Sequence, residues 1–384
     1  MPAAAQLKLT PSSTMIFQNG IESALPALVA AGVSLLVTLT LLLTQRWHAH
    51  LSMDQSHGIQ KFHTQATPRV GGLPVLVGVL VAWTLMPARL QTLITPLLLA
   101  AIPAFGSGFI EDITKTVGVR TRLLCTIGSG VLACLLTGYS VANTGVWGLD
   151  WLLGFTVFSV LFTALAMGTM ANAINMIDGF NGLSAGSLII MFFGMALIAA
   201  GVGDQDLAML SMVLAAAVLG FAVLNWPMGK IFLGDGGAYF AGFVLGWIGV
   251  VLAARNPGVS SWAPIMVCAY PVLELFFSIA RRRQRRHSPG DADRLHLHSL
   301  VRRRITGFWL RRASPLSLNS VTGVLMWPAS LISTTWAVIY ANDSNFLVGG
   351  LVASALLYHL FYQALVRFKW GSKRSAAQAI EQDA

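Results

Sequence analysis

Long apolar stretches recur along the whole chain and constrain its fold more than any other feature. A helix needs about 20 predominantly apolar residues to cross the hydrocarbon core of a bilayer. Eleven stretches meet or approach that length, and they cover residues 23–44, 70–88, 91–110, 123–141, 152–171, 184–202, 207–224, 238–254, 262–280, 317–340 and 346–366. The sequence therefore predicts an all-α, polytopic membrane protein with about eleven transmembrane helices.

The composition excludes the soluble classes of protein. Hydrophobic residues make up 55% of the 384 residues, and Asp, Glu, Lys and Arg together only 10%, against roughly 25% charged residues in a typical soluble domain. A soluble enzyme, a disordered chain and a coiled coil are therefore ruled out. We expect one integral-membrane domain over residues 1–370 and a cytoplasmic tail over 371–384. The first apolar stretch is predicted to be a retained helix, not a cleaved signal peptide.

The basic residues are distributed very unevenly between the loops. With the N-terminus placed outside, 22 of the 25 Lys and Arg residues fall on the inner side, as the positive-inside rule requires. This orientation puts the C-terminus in the cytoplasm and explains the net charge of +10 without a nucleic-acid partner. Seven of the eight histidines lie on the same side, and topology does not need them. The inner face is therefore predicted to carry the chemistry.

Two of the polar clusters on that face favour a phosphate and metal site. Asn172, Asn175 and Asp178 are three residues apart and would form one polar ridge on a helix, suited to a hydroxylated or phosphorylated ligand. Asp235 stands between glycines just before an apolar stretch resumes, where a carboxylate is costly unless it is paired or holds a cation. An oxygen-only site beside phosphates suits Mg²⁺, which keeps waters and takes one or two carboxylates.

Three further clusters leave alternatives open. The adjacent Glu111 and Asp112 could share a metal or raise a pKa, or could be a solvated helix end. The loop 281–312 holds eleven arginines together with His296 and His298; it could lie on anionic lipid, or act as a phosphate-binding arm, which we favour for its histidines. The loop from Lys61 to Gly72 could be an ordinary basic inner loop, although its Thr67-Pro68 and Gly-Gly pairs are then unexplained.

The order and spacing of these clusters over residues 57–300 resemble the polyprenyl-phosphate N-acetylhexosamine-1-phosphate transferase superfamily. The resemblance is strongest to its undecaprenyl-phosphate GlcNAc-1-phosphate transferases, and it implies eleven helices with a cytoplasmic active site in the bacterial inner membrane. Three positions depart from the family pattern: Glu111 replaces an Asp, Asn181 replaces a second acid, and Ser299 stands in place of a final His.

The resemblance also implies a set of functional residues. Asp112, Asp178 and Glu111 would be catalytic, and Asp235 with Asp178 would hold Mg²⁺, with Mn²⁺ as an alternative. An acid in the ninth helix of the family matches Glu274. The residues expected to bind substrate are Lys61, Thr67, Asn172, Asn175, Asn225, Phe232, Arg294, His296 and His298.

The implied reaction transfers a HexNAc-1-phosphate, preferably GlcNAc-1-phosphate, from a UDP-sugar to undecaprenyl phosphate. The products are undecaprenyl-diphospho-sugar and UMP, in the first membrane step of O-antigen or another surface polysaccharide. Two alternatives stay open: a transporter or lipid flippase, and a catalytically inactive scaffold of the same fold. The expected partners are the UDP-sugar, the polyprenyl phosphate and membrane lipid, with a homodimer as a further expectation.

Overall fold

The protein is almost entirely helical. The computed structural model describes residues 11–47, 53–54, 67–284 and 295–367. Within these ranges extended structure is confined to an antiparallel pair of two-residue strands, β1 (Met53–Asp54) and β2 (Thr67–Pro68). The predicted all-α class is thereby confirmed. The predicted substrate residues Lys61 and Arg294 and the predicted tail 371–384 lie outside the described residues.

Sixteen labelled α-helices and one π-helical turn build the described part of the chain. In chain order they are α1 (Pro11–Leu43), α2 (Gly72–Thr84), α3 (Ala88–Ala100), α4 (Ile102–Thr114), α5 (Val119–Thr137), α6 (Trp147–Leu153), α7 (Thr156–Ile177), α8 (Leu183–Gly201), α9 (Gln205–Asn225), α10 (Gly234–Arg255), α11 (Trp262–Val267), α12 (Ala269–Gln284), α13 (Leu297–Val301), the π-helical turn Arg302–Thr306, α14 (Gly307–Trp309), α15 (Pro315–Ile339) and α16 (Ser344–Arg367).

Eight helices of the described chain are long and apolar enough to cross a membrane, or nine spans if one bent pair counts as one. The eight are α1 from Ala24 onward, α5, α7, α8, α9, α10, α15 and α16. Each of these helices coincides with a stretch that the sequence predicts to span the membrane. A multi-pass membrane protein is therefore what the chain forms, and the total of eleven spans and the orientation of the termini stay predictions.

The other three predicted spans are helical but short or broken, and prolines account for both breaks. The span 70–88 is the 13-residue helix α2. The span 91–110 is the pair α3 and α4, bent by 47°; Pro103 has no N–H for the helix to continue through. The span 262–280 is divided between α11 and α12, where Pro271 cannot donate to the carbonyl of Val267.

The helix α10 lies at the centre of the molecule. In its apolar window 78% of the residues are buried, against 17% for α16 at the periphery. It packs against α7, α4 and α2, while α1 covers α9 and α2, and α15 lies on α8. The outer helices expose many leucines and phenylalanines, which is the surface expected of a protein whose solvent on those faces is lipid.

The loops gather at two opposite ends of the helical bundle. At one end Trp262 donates to the carbonyl of Thr144, Ser260 donates to the carbonyl of Ala341, and Arg255 pairs with Asp204. The connections 67–71, 115–118, 178–182 and 226–233 meet at the other end, where the predicted polar clusters also lie. Every cluster within the described residues is therefore brought to one face.

Candidate active site

Close backbone contacts fix the N-terminus of α10, which carries Asp235. A Cβ added at Gly72 would lie 2.3 Å from the Cα of Gly237, and one added at Gly108 would lie 2.5 Å from the carbonyl carbon of Asp235. Gly234 adopts a φ of 77°, a left-handed conformation that favours glycine. The Gly-Asp-Gly-Gly sequence therefore lets α10 begin directly between α2 and α4, with Asp235 on its first turn.

The loop before α2 is joined to the loop before α10 by backbone hydrogen bonds. Phe232 N–H donates to the carbonyl of Pro68 at 2.8 Å, and Gly71 N–H donates to the carbonyl of Phe232 at 2.9 Å. Gly72 N–H donates to the carbonyl of Leu233 at 2.8 Å. This pairing places Arg69 beside Asp235, where its guanidinium donates to Oδ1 at 2.8 Å.

Asp112 and Asp178 both accept hydrogen bonds from the start of α10. The carboxylate of Asp112, 1% exposed, accepts from the N–H groups of Asp235 at 3.0 Å and Gly236 at 2.9 Å. Asp178 follows the last residue of α7 and accepts from Gly234 N–H at 3.2 Å. A helix N-terminus carries partial positive charge and unsatisfied donors, which stabilise carboxylates there. The three acids are thus assembled around one helix end.

Two guanidinium groups and an amide surround the carboxylate of Asp235. Arg69 and Asn175 donate to Oδ1, at 2.8 Å and 2.9 Å, and Arg122 contacts Oδ2. The side chain of Asp235 is 6% exposed. An ionised carboxylate out of water is stable only with such partners. The site therefore holds both negative and positive charge, which can accommodate a cation and phosphate oxygens together.

Asp178 lies in an environment that disfavours its charged form. Burial raises the pKa of its carboxyl group to about 6, although hydrogen bonds from Ser184 and Gly234 act in the opposite direction. Strongly perturbed carboxyl groups in a polar cleft are typical of functional sites. Because a nearby cation would favour the charged form, this group is suited to metal binding.

The donor set fits Mg²⁺ better than a metal that needs several protein ligands. Within the described residues, no three Asp, Glu, His or Cys side chains come together as a metal-binding group. Mg²⁺ requires fewer protein ligands, since it is usually held by one or two carboxylates and keeps several waters. Asp178, which accepts from Gly234 N–H, and Asp235, the next residue after Gly234, supply two carboxylates. Their oxygen atoms are hard donors, which suit Mg²⁺.

The structure brings some of the other predicted residues to this cluster and directs others elsewhere. Asn175 contacts Asp235, but Asn172 donates to Thr126 Oγ1 at 3.2 Å and to the carbonyl of Gly168 at 2.8 Å. Asn225 is 2% exposed; its amide accepts from Gly182 N–H and donates to the carbonyl of Ile231, each at 2.8 Å. The substrate-binding roles of Asn172 and Asn225 stay predictions.

The pair Glu111 and Asp112 does not act as one cluster in the structure. Glu111 Oε2 accepts from Val117 N–H at 2.8 Å, in the turn after α4, while Asp112 faces α10. Consecutive residues on a helix point about 100° apart, so both carboxylates cannot face the same site. The catalytic role of Glu111 stays a prediction.

Thr67 is buried in β2, and Phe232 is half-buried beside it.

The predicted histidine arm lies against the same site. His296 and His298 are 7% and 3% exposed, and their rings stack with centroids 5.2 Å apart. The ring of His298 also contacts Phe180 edge-on at 5.4 Å, and its Nε2 would lie 3.1 Å from a Cβ added at Gly179. The arm is therefore docked on the turn that follows Asp178.

Sequence reasoning missed Arg122 and Ser184 as members of the site. Arg122 lies on the first turns of α5 and Ser184 on the first turn of α8, and each contacts an acid of the cluster. The only sequence signal was a polar residue at the inner end of an apolar stretch, which many membrane helices have. Asn181, a departure from the family pattern, donates to Ser320 Oγ at 3.2 Å and is 3% exposed.

Residues 94–253 match the model of a protein family described as glycosyl transferase family 4. This match covers α4 to α9 and most of α10, and it includes Asp112, Asp178 and Asp235.

Curated proteins that resemble the chain extend the match on both sides. A probable undecaprenyl-phosphate N-acetylglucosaminyl 1-phosphate transferase of Bacillus subtilis is 25% identical over 287 residues, 73% of this chain and 78% of that protein. An undecaprenyl-phosphate alpha-N-acetylglucosaminyl 1-phosphate transferase of Salmonella typhi is 26% identical over 286 residues, 73% of this chain and 77% of that protein. A decaprenyl-phosphate N-acetylglucosaminephosphotransferase of Mycolicibacterium smegmatis is 30% identical over 273 residues, 62% of this chain and 65% of that protein.

Proposed function

Because the chain belongs to glycosyl transferase family 4, among the polyprenyl-phosphate N-acetylhexosamine-1-phosphate transferases, we propose that it transfers GlcNAc-1-phosphate from UDP-GlcNAc to undecaprenyl phosphate. The products are undecaprenyl-diphospho-GlcNAc and UMP. The relatives named above are sugar-1-phosphate transferases that act on a polyprenyl phosphate. The proposal places the reaction at the cytoplasmic face of the bacterial inner membrane, as the first membrane step of a surface polysaccharide such as O-antigen.

One observation carries the proposal: three acids and two arginines meet at the start of α10. Asp112 and Asp178 accept from its first N–H groups, and Asp235 contacts Arg69 and Arg122. Phosphoryl transfer between two anions is mainly a problem of positioning and charge. A site that presents carboxylates for a cation and guanidinium groups for phosphate oxygens meets both requirements.

In the proposed reaction an oxygen of the lipid phosphate forms a bond to the β-phosphorus of UDP-GlcNAc, and the bond between that phosphorus and the UMP oxygen breaks. Asp178 and Asp235 would hold Mg²⁺, which supplies charge neutralisation for the diphosphate when bound. Arg69 and Arg122 are placed to donate to phosphate oxygens, as planar guanidinium groups do well. His298 lies against Gly179, directly after Asp178, with His296 stacked on it, and the two rings would donate to the same group.

The geometry favours direct attack by the lipid phosphate over a covalent enzyme intermediate. Both oxygens of Asp112 accept backbone N–H groups, and those of Asp178 accept from Ser184 and Gly234. A carboxylate that acts as a nucleophile must be able to approach phosphorus, and two backbone N–H donors hold Asp112 at the start of α10. Asp178 keeps lone pairs on both oxygens, which suit its proposed role as a metal ligand. We assign Asp112 to orienting α10, and through it Asp235.

A transporter is less well supported by the described residues. The site acids lie at one end of the bundle, whereas transporters typically place ionisable groups near the middle of their spans, between repeated halves. The acid deepest in an apolar span, Glu274, binds the histidine arm of the same end. A catalytically inactive scaffold would keep this architecture, so only a reaction assay separates it from the enzyme.

The assay follows UMP release and lipid-linked sugar formation from UDP-GlcNAc, undecaprenyl phosphate and Mg²⁺ in detergent. We expect turnover by the wild type and its loss, by at least 100-fold, in Asp235→Asn. A matched control is Asp343→Asn, at the opposite end of the bundle, where the carboxylate accepts from the first N–H groups of α16 and Asn serves equally well. The proposal fails if Asp235→Asn retains near-wild-type turnover, or if the wild type releases no UMP with any UDP-HexNAc.

A further inference from the structure

Glu274, on α12, is a buried carboxyl group that the proposed chemistry does not use. Its exposed fraction is 0%. It lies on a predicted span, where an acid is costly unless its partners compensate. A stable fold can bury a carboxyl group only when its contacts offset the cost of removing it from water. The residues that contact Glu274 therefore indicate what it does in the structure.

The partners of Glu274 come from two other segments of the chain. Its Oε1 lies 3.0 Å from Nδ1 of His296, and the N–H of Leu297 donates to both carboxylate oxygens, at 3.1 Å and 3.3 Å. The hydroxyl of Tyr358, on α16, donates to Oε2 at 2.9 Å. One carboxylate therefore binds both a side chain and the backbone of the histidine arm, and ties them to the last helix.

The arm that Glu274 holds reaches the acidic cluster through a stack of two rings. His296 stacks on His298 with an interplanar angle of 8°, and His298 contacts Phe180 and lies against Gly179. Gly179 directly follows Asp178. A displacement of His296 would therefore move His298 relative to Asp178.

We propose that Glu274 is a positioning residue, which fixes the arm residues 296–298 against the turn after Asp178, and that Tyr358 fixes Glu274 in turn. A carboxylate beside Nδ1 orients the ring of His296 and leaves Nε2 as the nitrogen that can face a ligand. The inference deepens the proposed function, on which it rests, by assigning how the arm is held ready for the diphosphate.

The proposal also gives the peripheral helix α16 a part in the site. Only 17% of its apolar window is buried, yet it supplies the hydroxyl that completes the shell of Glu274. Phe277 packs against Tyr358 at 4.6 Å between ring centroids, which holds the tyrosine over α12. The arm is thus connected through two side chains to a helix that faces lipid.

The first experiment is a double-mutant cycle on kcat, with Glu274→Gln and His296→Asn made singly and together. Glutamine keeps the size of the side chain but has an NH₂ donor in place of one of the two carboxylate oxygens, so we expect kcat to fall about 10- to 100-fold, the usual cost of losing such a supporting contact. Because Glu274 acts partly through the His296 side chain and partly through Leu297 N–H, the loss in the double variant should be smaller than the sum of the two single losses in ln kcat. Additive losses would overturn the proposal. They would mean that Glu274→Gln lowers kcat by the same factor in the wild type and in His296→Asn, as a general structural defect does.

Two tyrosines of α16 give a matched control pair. Tyr358→Phe removes the hydroxyl that contacts Glu274, and we expect a two- to fivefold lower kcat. Tyr362→Phe removes a hydroxyl one turn away that contacts Arg281 instead of Glu274, and we expect a smaller effect than that of Tyr358→Phe. Equal effects of the two variants would contradict the part assigned to Tyr358.

A second readout does not depend on any reaction. Arginines 302–304 follow the arm and are trypsin sites, so a released arm should be cut faster in the native protein. We expect Glu274→Gln to be cleaved there at least five times faster than the wild type, at a temperature well below the Tm of both proteins. Wild-type cleavage rates would overturn the proposal. If the wild type lacks transferase activity but Glu274→Gln still loosens the arm, the proposed function fails and the positioning role stands.

Discussion

At the scale of single residues, the site is defined by how Asp235 is neutralised. Two guanidinium groups and one amide contact its carboxylate, and Arg122 is the more buried of the two arginines, at 15% exposed against 29% for Arg69. A cation bound at Asp235 would neutralise that carboxylate in place of the two arginines. The two guanidinium groups would then be free to contact the oxygens of a diphosphate close to their present positions. Arg122 should therefore contribute to catalysis as well as to the ion pair.

We predict that Arg122→Gln lowers kcat/KM by about 100-fold, the typical cost of removing one preorganised donor to a developing charge. The measurement is steady-state UMP release. Arg120→Gln is the control, because Arg120 is exposed, lies on the same helix two residues earlier, and has the same charge. A kcat/KM of Arg122→Gln within threefold of the wild type would exclude this role.

Metal binding at Asp178 and Asp235 has a consequence for stability. A ligand that binds only the folded state stabilises it by about 2.7 kcal/mol at 100 times its Kd. We therefore expect Mg²⁺ to raise the Tm of the wild type in detergent and EDTA to reverse the rise. Asp178→Asn should abolish the Mg²⁺ response, because it removes one of the two carboxylates.

The control for the metal experiment is Asp343→Asn, which should keep the whole Mg²⁺-dependent rise in Tm. An equal rise in Asp178→Asn would show that the ion binds elsewhere. This readout needs no substrate, so it also separates loss of metal from loss of turnover.

At the scale of elements, the start of α10 is positioned by helices that approach without side chains between them. Gly108 of α4 touches the backbone of Asp235, and Gly72 of α2 touches Gly237. Gly106 lies two residues before Gly108 on α4, and a Cβ added there would meet nothing within 4 Å. The two glycines thus lie on the same helix, but only Gly108 contacts α10.

We predict that Gly108→Ala lowers kcat by about 100-fold, the cost of a displacement of about 1 Å at the reacting groups, because α4 must move away from Asp235. The strain should also destabilise the fold by about 1–3 kcal/mol. Gly106→Ala should leave activity unchanged and stabilise the helix slightly, since alanine is the better helix former. Equal activities of the two variants, measured with Tm for each, would refute the proposed seating of α10.

The helices could be predicted from the sequence because each is set by a long local pattern, but their breaks could not. Eight predicted spans appear as single helices, whereas 91–110 and 262–280 are divided at places where prolines remove an N–H. Pro96 and Pro328 lie inside helices that continue. A proline alone therefore does not say whether a helix stops, since neighbouring helices decide whether the lost hydrogen bond is replaced.

The same contrast holds for the site. Asp178, Asp235 and Asn175 were predictable because polar residues within apolar surroundings are costly and therefore conspicuous. Arg122 and Ser184 were not, because their partners are more than 100 residues away or lie across a turn, and only the packing of α5 and α8 shows the contact. Asn172 follows the predicted three-residue spacing but faces Thr126, because α5 packs against that part of α7.

At the scale of the whole molecule, the two ends of the bundle differ in charge as well as in chemistry. Among the described residues the end opposite the site carries Arg89 and Arg255, and both are paired with Asp204 or Asp206. The site end carries Arg69, Lys115, Arg122 and the arginines of 302–304. Basic residues are retained on the cytoplasmic side of a bilayer, so the site end is expected to be cytoplasmic.

We predict opposite labelling of two single cysteines in a variant whose native Cys125, Cys134 and Cys268 are replaced by alanine. Thr116→Cys lies in the exposed turn after α4 at the site end, and Asn342→Cys lies in the exposed turn before α16 at the other end. In intact bacterial cells a membrane-impermeant maleimide should label Asn342→Cys fully and Thr116→Cys only after the membrane is opened. UDP-GlcNAc is a cytoplasmic donor in this proposal, so the reverse pattern would place the acids on the wrong side of the membrane for their substrate, whatever the activity in detergent.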